Sequence, residues 1–332
     1  MKTFRTIISP GVFDFEINYN TKLMFLGSCF TENIGKKLKE QKFKIKINPF
    51  GIIYNPISVS DSLNFIAERT FFSENDLIYY DENWHSFHHH GKFSGKDKEA
   101  VSENINSEIN RSFEYLKNAD YIFITFGTSW VYEYAETGEI VANCHKIPSY
   151  KFKKRLLNTE EITKKISETV NTARKLNPNL KFVFSVSPVR HLKDGFSQNF
   201  ISKSILRVAI KEICDLFAGT YYFPAYEILT DDLRDYRFYA EDMVHPNETA
   251  VEYIFDFFRE SFFSDETKKI FDKITKIISA RNHRIFDLNS EKTKKFIKKN
   301  IEEIKILEKL YPVINFDEEK KYFSNLFSDI LK

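Results

Sequence analysis

Two short polar patterns in the sequence could carry chemistry. The first is LGSCF at residues 26–30, in which Ser28 directly follows an apolar run. The second is DMVHP at residues 242–246, an Asp-x-x-His arrangement. A serine hydroxyl becomes a nucleophile when an imidazole takes its proton, and a carboxylate on the other ring nitrogen holds that imidazole in the required tautomer. Ser28, His245 and Asp242 are therefore candidates for nucleophile, base and orienting carboxylate.

These residues are far apart in the sequence, so they can meet only in a fold that brings the ends of several strands and helices together. Short apolar runs, continuous rather than alternating, predict strands covered on both faces, at 22–26, 121–126, 181–186 and 221–223. Apolar residues at helical spacing predict helices between them, at 32–41, 102–116, 159–176, 202–217 and 248–258. This alternation favours a doubly wound α/β sheet, whose ligands lie beyond the carboxyl ends of the strands.

The turn after the first strand suits a nucleophile. Gly27 permits a tight turn, and the helix predicted next, with Thr31 as its cap, directs N–H groups and a positive partial charge at the same place. A serine at such a turn is more often a helix cap, and Asp-x-x-His is common by chance, so the two patterns carry weight only together. We interpret Cys29 as buried packing, because adjacent side chains leave a turn in different directions.

The sequence resembles the GSCFA family, which belongs with the SGNH, or GDSL-like, hydrolases. GSCF at 27–30 continues as TEN, with Thr31 where the family name has Ala. Further matching blocks follow in order over most of residues 20–260: NPFGI (48–52), WHSF (84–87), FGTSW (126–130), NCHK (143–146), SPVRH (187–191) and YAEDMVHP (239–246). The resemblance implies a flavodoxin-like three-layer α/β/α sandwich over residues 1–262. The segment 263–332 is rich in Lys, Glu and Ile and contains no Gly, which predicts a helical C-terminal extension.

The resemblance also implies roles for individual residues. Ser28 matches the nucleophile, and Asp242 and His245 match the family's Asp-x-x-His. Gly51 is the expected backbone oxyanion donor, and Ser129 stands where an asparagine donor is expected. Loss of such a donor typically costs about 2.7–4 kcal/mol of transition-state stabilisation. Alternative amide donors stay open, namely Asn48, Asn55 and Asn143.

A histidine-rich segment, WHSFHHH at 84–90, admits three interpretations. The first interpretation is a transition-metal site. The second is a loop at the rim of the substrate pocket, in which His85 or His88 contacts substrate. The third is an ordinary surface loop. The candidate substrate-binding residues are Trp84, His85, His145 and His191; the last follows the strand predicted at 181–186.

Composition excludes several classes of protein. A net charge of +2 over 332 residues gives no case for nucleic-acid binding. Three cysteines build no disulfide framework, and the sequence has neither a signal-peptide pattern nor an apolar run near the roughly 20 residues that span a bilayer. We therefore expect a cytoplasmic protein with no membrane or nucleic-acid partner; its oligomeric state is not predicted.

The combined prediction is a serine-dependent esterase or acyl transferase that needs no cofactor or metal. It acts through an acyl-enzyme on a small acyl ester, such as an acetyl ester of a carbohydrate. One alternative is a catalytically impaired binding module of SGNH fold, because Ser129 replaces an asparagine. The other is a metal-dependent enzyme that uses the cluster His85–His90.

Overall fold

The computed structural model describes residues 6–11, 13–285, 287 and 290–330. The strands among these residues are β1 (Lys22–Gly27), β2 (Lys44–Ile47), β3 (Ile78–Tyr80), β4 (Asn83–His85), β5 (Tyr121–Phe126), β6 (Trp130–Tyr134), β7 (Ile140–Val141), β8 (Phe152–Leu156), β9 (Lys181–Val186) and β10 (Thr220–Tyr222). The helices are α1 (Cys29–Glu40), α2 (Pro56–Glu68), α3 (Lys98–Leu116), α4 (Thr159–Leu176), α5 (Phe196–Leu216), α6 (Ala225–Glu227), α7 (Glu248–Phe262), α8 (Asp265–Asn282), α9 (Glu291–Leu310) and α10 (Asp317–Ile330).

The central sheet has five strands in the order β2-β1-β5-β9-β10. The pairs β1–β5, β5–β9 and β9–β10 are parallel. Counted along the chain, this is the 2-1-3-4-5 order of flavodoxin-like folds, whose ligands bind where the strand order reverses, here between β1 and β5. The predicted α/β sandwich is confirmed.

Both faces of this sheet are buried. Met24 and Leu26 of β1 belong to an apolar cluster that includes buried residues of α2, α3, α4 and α5. Leu23 and Phe25 alternate to the other face and are also buried, and the ring of Phe25 stacks on that of Phe123 in β5 at 4.6 Å. This explains why continuous apolar runs, and not alternating ones, marked these strands.

The first helix begins earlier than its cap signal predicted. The predicted start was residue 32 with Thr31 as cap, whereas α1 begins at Cys29. The carbonyl of Ser28 accepts the first hydrogen bond of the helix, from the Glu32 N–H at 3.2 Å. This shift makes Cys29 the first residue of the helix and moves Thr31 from the cap position into the first turn.

A second compact unit combines described residues of the segments 12–21, 37–44 and 258–332. The predicted division lay at 262/263, but the unit also takes two N-terminal segments, because aromatic residues from all three pack together. The Phe43 ring stacks on Tyr19 at 4.3 Å and on Phe263 at 5.0 Å. The buried carboxylate of Glu319 is paired with Lys42 at 2.9 Å. No helix in the described part of the chain is long and apolar enough to cross a membrane.

Candidate active site

The structure pairs Asp242 with His245. Asp242 Oδ2 lies 2.7 Å from His245 Nδ1, and Oδ1 accepts the backbone N–H groups of Val244 and His245, each at 2.9 Å. The backbone N–H of His245, its ring and the Val244 N–H together lower the pKa of Asp242 to about 2. The carboxylate is therefore ionised at neutral pH and fixes Nδ1 as the protonated ring nitrogen, which leaves Nε2 as the basic one. No described residue hydrogen-bonds Nε2.

The loop that carries this pair is held at the end of β9. The backbone N–H of Arg190 donates to the Val244 carbonyl at 3.1 Å, and its guanidinium donates to the Met243 carbonyl at 3.3 Å. The same guanidinium lies 3.7 Å from the centre of the Tyr239 ring. These contacts bring the Asp-x-x-His motif to the carboxyl edge of the sheet, as the sequence argument required.

The turn between β1 and α1 is fixed by close backbone packing. Gly27 has φ +130°, and a Cβ there would lie 2.2 Å from the Thr125 carbonyl oxygen. The Ser28 N–H donates to that carbonyl at 3.2 Å, and the Gly27 N–H donates to Asn48 Oδ1 at 2.9 Å. Only glycine fits this position, and Asn48 acts as its anchor.

Ser28 lies in this turn, and its hydroxyl is enclosed. The residue is 3% exposed, and Oγ is buried without a hydrogen-bond partner. The structure therefore does not join Ser28 to His245, although it joins His245 to Asp242. Of the predicted set, the structure shows the contact between Asp242 and His245, and the role of Ser28 stays a prediction.

Cys29 follows at the first position of α1 and is partly exposed. Burial raises the pKa of its thiol. The backbone N–H groups of Phe30 and of Cys29 itself, and the ammonium of Lys203, act in the opposite direction. This side chain was interpreted as core packing from the sequence, whereas it is the more exposed of the two neighbours.

Lys203 is a site residue that the sequence analysis missed. It is 2% exposed, and Nζ donates to the carbonyl oxygens of Gly127 at 2.6 Å and Ser187 at 2.8 Å, which directly follow β5 and β9. Burial lowers the pKa of this ammonium to about 7. Helical spacing could have predicted its burial, because Lys203 lies on the same face of α5 as the buried residues Leu206 and Ile210.

The two predicted oxyanion donors are already engaged. The Gly51 N–H donates to the Asn48 carbonyl at 2.8 Å, and the glycine itself is required because a Cβ would lie 2.2 Å from His90 Cβ. Ser129 is fully buried; its hydroxyl donates to the Ser202 carbonyl at 3.1 Å and its N–H to Ser202 Oγ at 2.8 Å. Neither is presented to a ligand, which corrects the expectation for both.

The three alternative amide donors differ in how far their side chains are already engaged in hydrogen bonds within the protein. The side chain of Asn55 caps α2, with Nδ2 donating to Ser58 Oγ at 2.9 Å. Asn143 accepts the His145 N–H at 2.9 Å and lines a groove beside the site. The amide oxygen of Asn48 is used in the turn, as described above.

That groove has a volume of about 800 Å³. One wall is the antiparallel sheet β7-β6-β8, inserted between β5 and α4, and the other is the segment 190–194 after β9. Its lining is rich in aromatic and basic side chains, including Tyr54, Trp130, Tyr132, Phe152, Lys154, Arg190 and Lys193. Val244, next to His245, also lines it, so the groove opens beside the Asp-x-x-His loop.

Of the four predicted substrate-binding residues, His191 lines this groove. Its ring lies 5.4 Å from that of Tyr54, and its Nε2 would be 3.1 Å from a Cβ added to Gly127. Burial lowers the pKa of His191 to about 3, and Lys203 and His245 contribute in the same direction. The ring is therefore neutral at physiological pH.

The other three are not among the residues that line this groove, and their contact with substrate stays a prediction. The two ring nitrogens of His85 contact Ser94 Oγ at 2.6 Å and the Tyr80 carbonyl at 3.0 Å. The His145 ring packs on His85 at 4.5 Å, and its Nε2 lies 2.8 Å from the Ser86 carbonyl. Trp84 carries the Lys98 ammonium 4.5 Å above its ring. These contacts are structural.

The remaining histidines of the segment are also separately engaged. His88 Nε2 pairs with Glu139 at 2.9 Å, His89 Nδ1 lies 2.8 Å from Ser86 Oγ, and His90 Nδ1 accepts the Lys92 N–H at 3.2 Å. Among the described residues, no three His, Cys, Asp or Glu side chains are grouped to hold a metal ion. The metal interpretation of this segment has no geometric support.

Residues 22–258 match the GSCFA family, and residues 274–328 match the C-terminal domain of GSCFA domain proteins. The chain belongs to the GSCFA family, as its turn motif and following blocks predicted. A comparison with curated proteins gave no match.

Solved structures with a similar chain path include three esterases. A carbohydrate esterase family 3 protein from Talaromyces cellulolyticus is 11% identical, with 77% of this chain and 99% of that chain covered and a TM-score of 0.35. The acetyl xylan esterase Est2A from the rumen bacterium Butyrivibrio proteoclasticus is 12% identical, with 73% and 64% covered and a TM-score of 0.37. A Clostridium thermocellum family 3 carbohydrate esterase is 11% identical, with 72% and 94% covered and a TM-score of 0.32. The fold assignment rests on the strand order itself.

Proposed function

We propose that the chain is an enzyme that transfers an acyl group from an ester, to water or to another alcohol, through an acyl-enzyme. The observation that carries the proposal is the 2.7 Å contact between Asp242 Oδ2 and His245 Nδ1. It orients the ring and leaves Nε2 as a base at the carboxyl edge of the sheet. An imidazole so oriented is the general base of acyl transfer.

The β1–α1 turn supplies the nucleophile in this proposal. The first N–H groups of a helix have no intrahelical partners and carry a positive partial charge, so the start of the 12-residue α1 favours the oxyanion of a tetrahedral intermediate. His245 takes the nucleophile's proton and returns it to the leaving alcohol. Water, activated by the same imidazole, then releases the acid.

The groove suggests the alcohol part of the substrate. Aromatic faces such as Trp130 and Tyr132 offer flat apolar surfaces, while Lys154 and Arg190 offer hydrogen-bond donors. Sugar rings present this mixture of apolar faces and hydroxyl groups, so we propose a carbohydrate-like alcohol bearing a small acyl group such as acetyl.

The test is hydrolysis of esters that differ in one part at a time. p-Nitrophenyl acetate, butyrate and octanoate vary the acyl group, and acetylated xylo-oligosaccharides vary the alcohol. We expect the highest kcat/KM with acetyl esters, and we expect the His245→Gln variant to remain near background. Wild-type rates no higher than those of this variant would overturn the proposal.

The alternative of a non-catalytic binding module has one specific observation in its favour. Ser28 Oγ is enclosed, and the donors expected from Gly51 and Ser129 are used within the protein. A binding module would retain acetylated oligosaccharides in calorimetric titration and release no acetate. Turnover that depends on His245 excludes it.

A further inference from the structure

We infer that a second cavity, next to the groove, binds a further sugar unit of the chain whose acylated unit occupies the groove. The cavity has a volume of about 280 Å³ and is formed by residues of the segments 190–200 and 226–239. We call it the Arg190 pocket, because Arg190 lines both this cavity and the groove. The inference rests on the proposed function and narrows its substrate to an ester of an oligosaccharide or polysaccharide.

The Arg190 pocket and the groove share a wall. The guanidinium of Arg190 lies 3.7 Å from the centre of the Tyr239 ring and 5.2 Å from that of Tyr236, and both tyrosines line the pocket. The backbone N–H of His191, a groove residue, donates to Oδ1 of Asn199, a pocket residue, at 2.9 Å. The two cavities are therefore neighbours, and a sugar chain that fills the groove can extend past Arg190 into the pocket.

The lining of the Arg190 pocket is aromatic. Five of its eleven lining residues are Phe or Tyr, whereas aromatic residues make up 16% of the whole chain. Three of the five are largely exposed, namely Phe196 at 58%, Phe200 at 59% and Tyr236 at 63%. Side chains this exposed contribute little to the core, and an exposed apolar patch rimmed by polar groups marks a binding site.

Two separate elements hold the exposed rings around the cavity. Phe196 and Phe200 are four residues apart on α5, so their side chains lie on one face of that helix. Tyr236 begins a single 3₁₀ turn over 236–238, and the carboxylate of Asp235 caps this turn by accepting the Arg237 N–H at 2.8 Å. The aromatic surfaces are therefore fixed by backbone structure on two sides of the sequence that forms the pocket.

The charges around the pocket favour a neutral ligand. The carboxylate of Asp235 pairs with the Arg237 guanidinium at 3.0 Å, and the Arg234 guanidinium lies 3.5 Å from the carboxylate of Asp231. The remaining charge in the lining, that of Arg190, lies against two tyrosine rings. Because the charges are largely balanced in this way, the pocket suits an uncharged sugar better than an anion.

The pocket also offers hydrogen bonds to hydroxyl groups. The guanidinium of Arg190 has five N–H donors and spends one of them on the Met243 carbonyl, at 3.3 Å. The hydroxyl of Thr230 donates to the Tyr226 carbonyl at 2.8 Å, which leaves its oxygen as an acceptor. The lining therefore combines aromatic faces with a donor and an acceptor.

A sugar unit matches this combination. Its ring carbons present apolar C–H faces that can pack on aromatic side chains, and its hydroxyl groups donate and accept hydrogen bonds around the edge. Ligand cavities typically measure roughly 300–1,000 Å³, so the size of this one favours a single ring. A protein partner would instead need a broad surface, roughly 800 Å² on each side.

The first test is glycan binding in the absence of chemistry. Xylohexaose, cellohexaose and chitohexaose are titrated by calorimetry into the wild type, Phe200→Ala and Tyr236→Ala, after circular dichroism has shown that each is folded. We expect at least one glycan to bind, and each substitution to weaken its Kd by about 3- to 10-fold. Leu216→Ala is the matched control and should bind as the wild type does. It removes an apolar side chain that is 64% exposed near the C-terminal end of the same helix, α5, and that lines neither cavity.

The second test connects the pocket with turnover. O-acetylated forms of the bound glycan, with two, four and six sugar units, are assayed on the same variants. Each kcat/KM is divided by that of the same variant with p-nitrophenyl acetate, which removes any general effect on the reacting groups. We expect this ratio to rise by about fivefold or more from two to six units in the wild type and in Leu216→Ala, and to stay nearly flat in Phe200→Ala.

Each outcome assigns the failure to one claim. Absence of glycan binding, equal affinity in Phe200→Ala and the wild type, or a ratio that does not depend on chain length overturns the inference. Hydrolysis of p-nitrophenyl acetate that requires His245 then leaves the proposed acyl transfer intact. A dimer in sedimentation velocity that Phe200→Ala dissociates would assign the pocket to a contact between two copies of the chain, and so overturn the inference as well. Glycan binding that depends on Phe200, without any ester hydrolysis by the wild type, would remove the proposed function and leave the pocket as a sugar-binding site.

Discussion

The histidine-rich segment 85–90 and the loop 240–246 contain the same side chain in two different states. In the segment, four histidines follow one another closely, and His85 has both ring nitrogens in contact with protein atoms. In the loop, a single imidazole has Nδ1 on a carboxylate and Nε2 on no described residue. In the segment, His88 Nε2 also contacts a carboxylate, that of Glu139 at 2.9 Å, but the loop imidazole is the base in the proposed function.

The difference shows that several functional residues close together in the sequence do not by themselves predict a reactive site. A group reacts when one atom is held in position and another is left available. In the histidine-rich segment the side chains support packing: the His89 ring, for example, is buried against Phe50 at 4.2 Å. In the loop, backbone strain at Met243, with φ +55°, and the hydrogen bonds of Asp242 serve a single ring.

The largest effect expected from this contrast is on catalysis. His245→Gln should lower kcat for p-nitrophenyl acetate by about 10³–10⁴-fold, because the amide cannot accept a proton in the transition state. His88→Gln, in the histidine-rich segment, should stay within about threefold. Steady-state kinetics on both variants tests the contrast directly. Equal losses in the two variants would mean that the segment takes part in the chemistry.

Asp242→Asn should have the next largest effect, a loss in kcat of about 10⁴-fold at most. The amide can still accept the backbone N–H groups, but it favours the wrong ring tautomer of His245. Asp235→Asn is the matched control, since Asp235 pairs with Arg237 at 3.0 Å near the same loop and is exposed. A near-normal rate in Asp242→Asn would show that the carboxylate does not orient the base.

Acid stability gives a third, smaller effect. The pKa of His191 is lowered to about 3 from the ordinary 6.5, so the unfolded chain binds a proton between these values that the folded chain does not. The contribution of the neutral His191 ring to the free energy of unfolding is complete above pH 6.5 and is lost as the pH falls toward 3. His191→Asn should therefore lose less stability than the wild type between pH 7 and 5, by about 1–2 kcal/mol. Urea unfolding at both pH values measures this, and identical losses would refute it.

The sequence predicted the sheet well because burial on two faces leaves a strong pattern. The runs at 121–126 and 181–186 coincide with β5 and β9. The groove wall was missed, since β6 and β8 read WVYEY and FKKRL and are only partly buried. Strands that combine charged and aromatic residues give no continuous apolar run.

In the site, the sequence located the turn but not which of its two neighbouring side chains is the more buried. Ser28 and Thr31 are both good capping residues, so the first turn of α1 had two possible starts. The helix begins at Cys29, and the Ser28 carbonyl accepts its first hydrogen bond. Lys203 was missed because a lysine is normally interpreted as exposed, whereas the ends of β5 and β9 supply two carbonyl acceptors for it.

The smallest effect compares two buried serines, Ser86 in the histidine-rich segment and Ser28 in the turn between β1 and α1. Ser86 Oγ, in the histidine-rich segment, lies 2.8 Å from His89 Nδ1, whereas Ser28 Oγ has no partner. Ser86→Ala should cost about 1–3 kcal/mol, because it leaves a buried ring nitrogen unpaired, while Ser28→Ala should be neutral or slightly stabilising. Thermal unfolding of both variants gives the comparison. A marked loss of stability in Ser28→Ala would mean that its hydroxyl makes a hydrogen bond after all, and so that the turn holds Ser28 in another orientation.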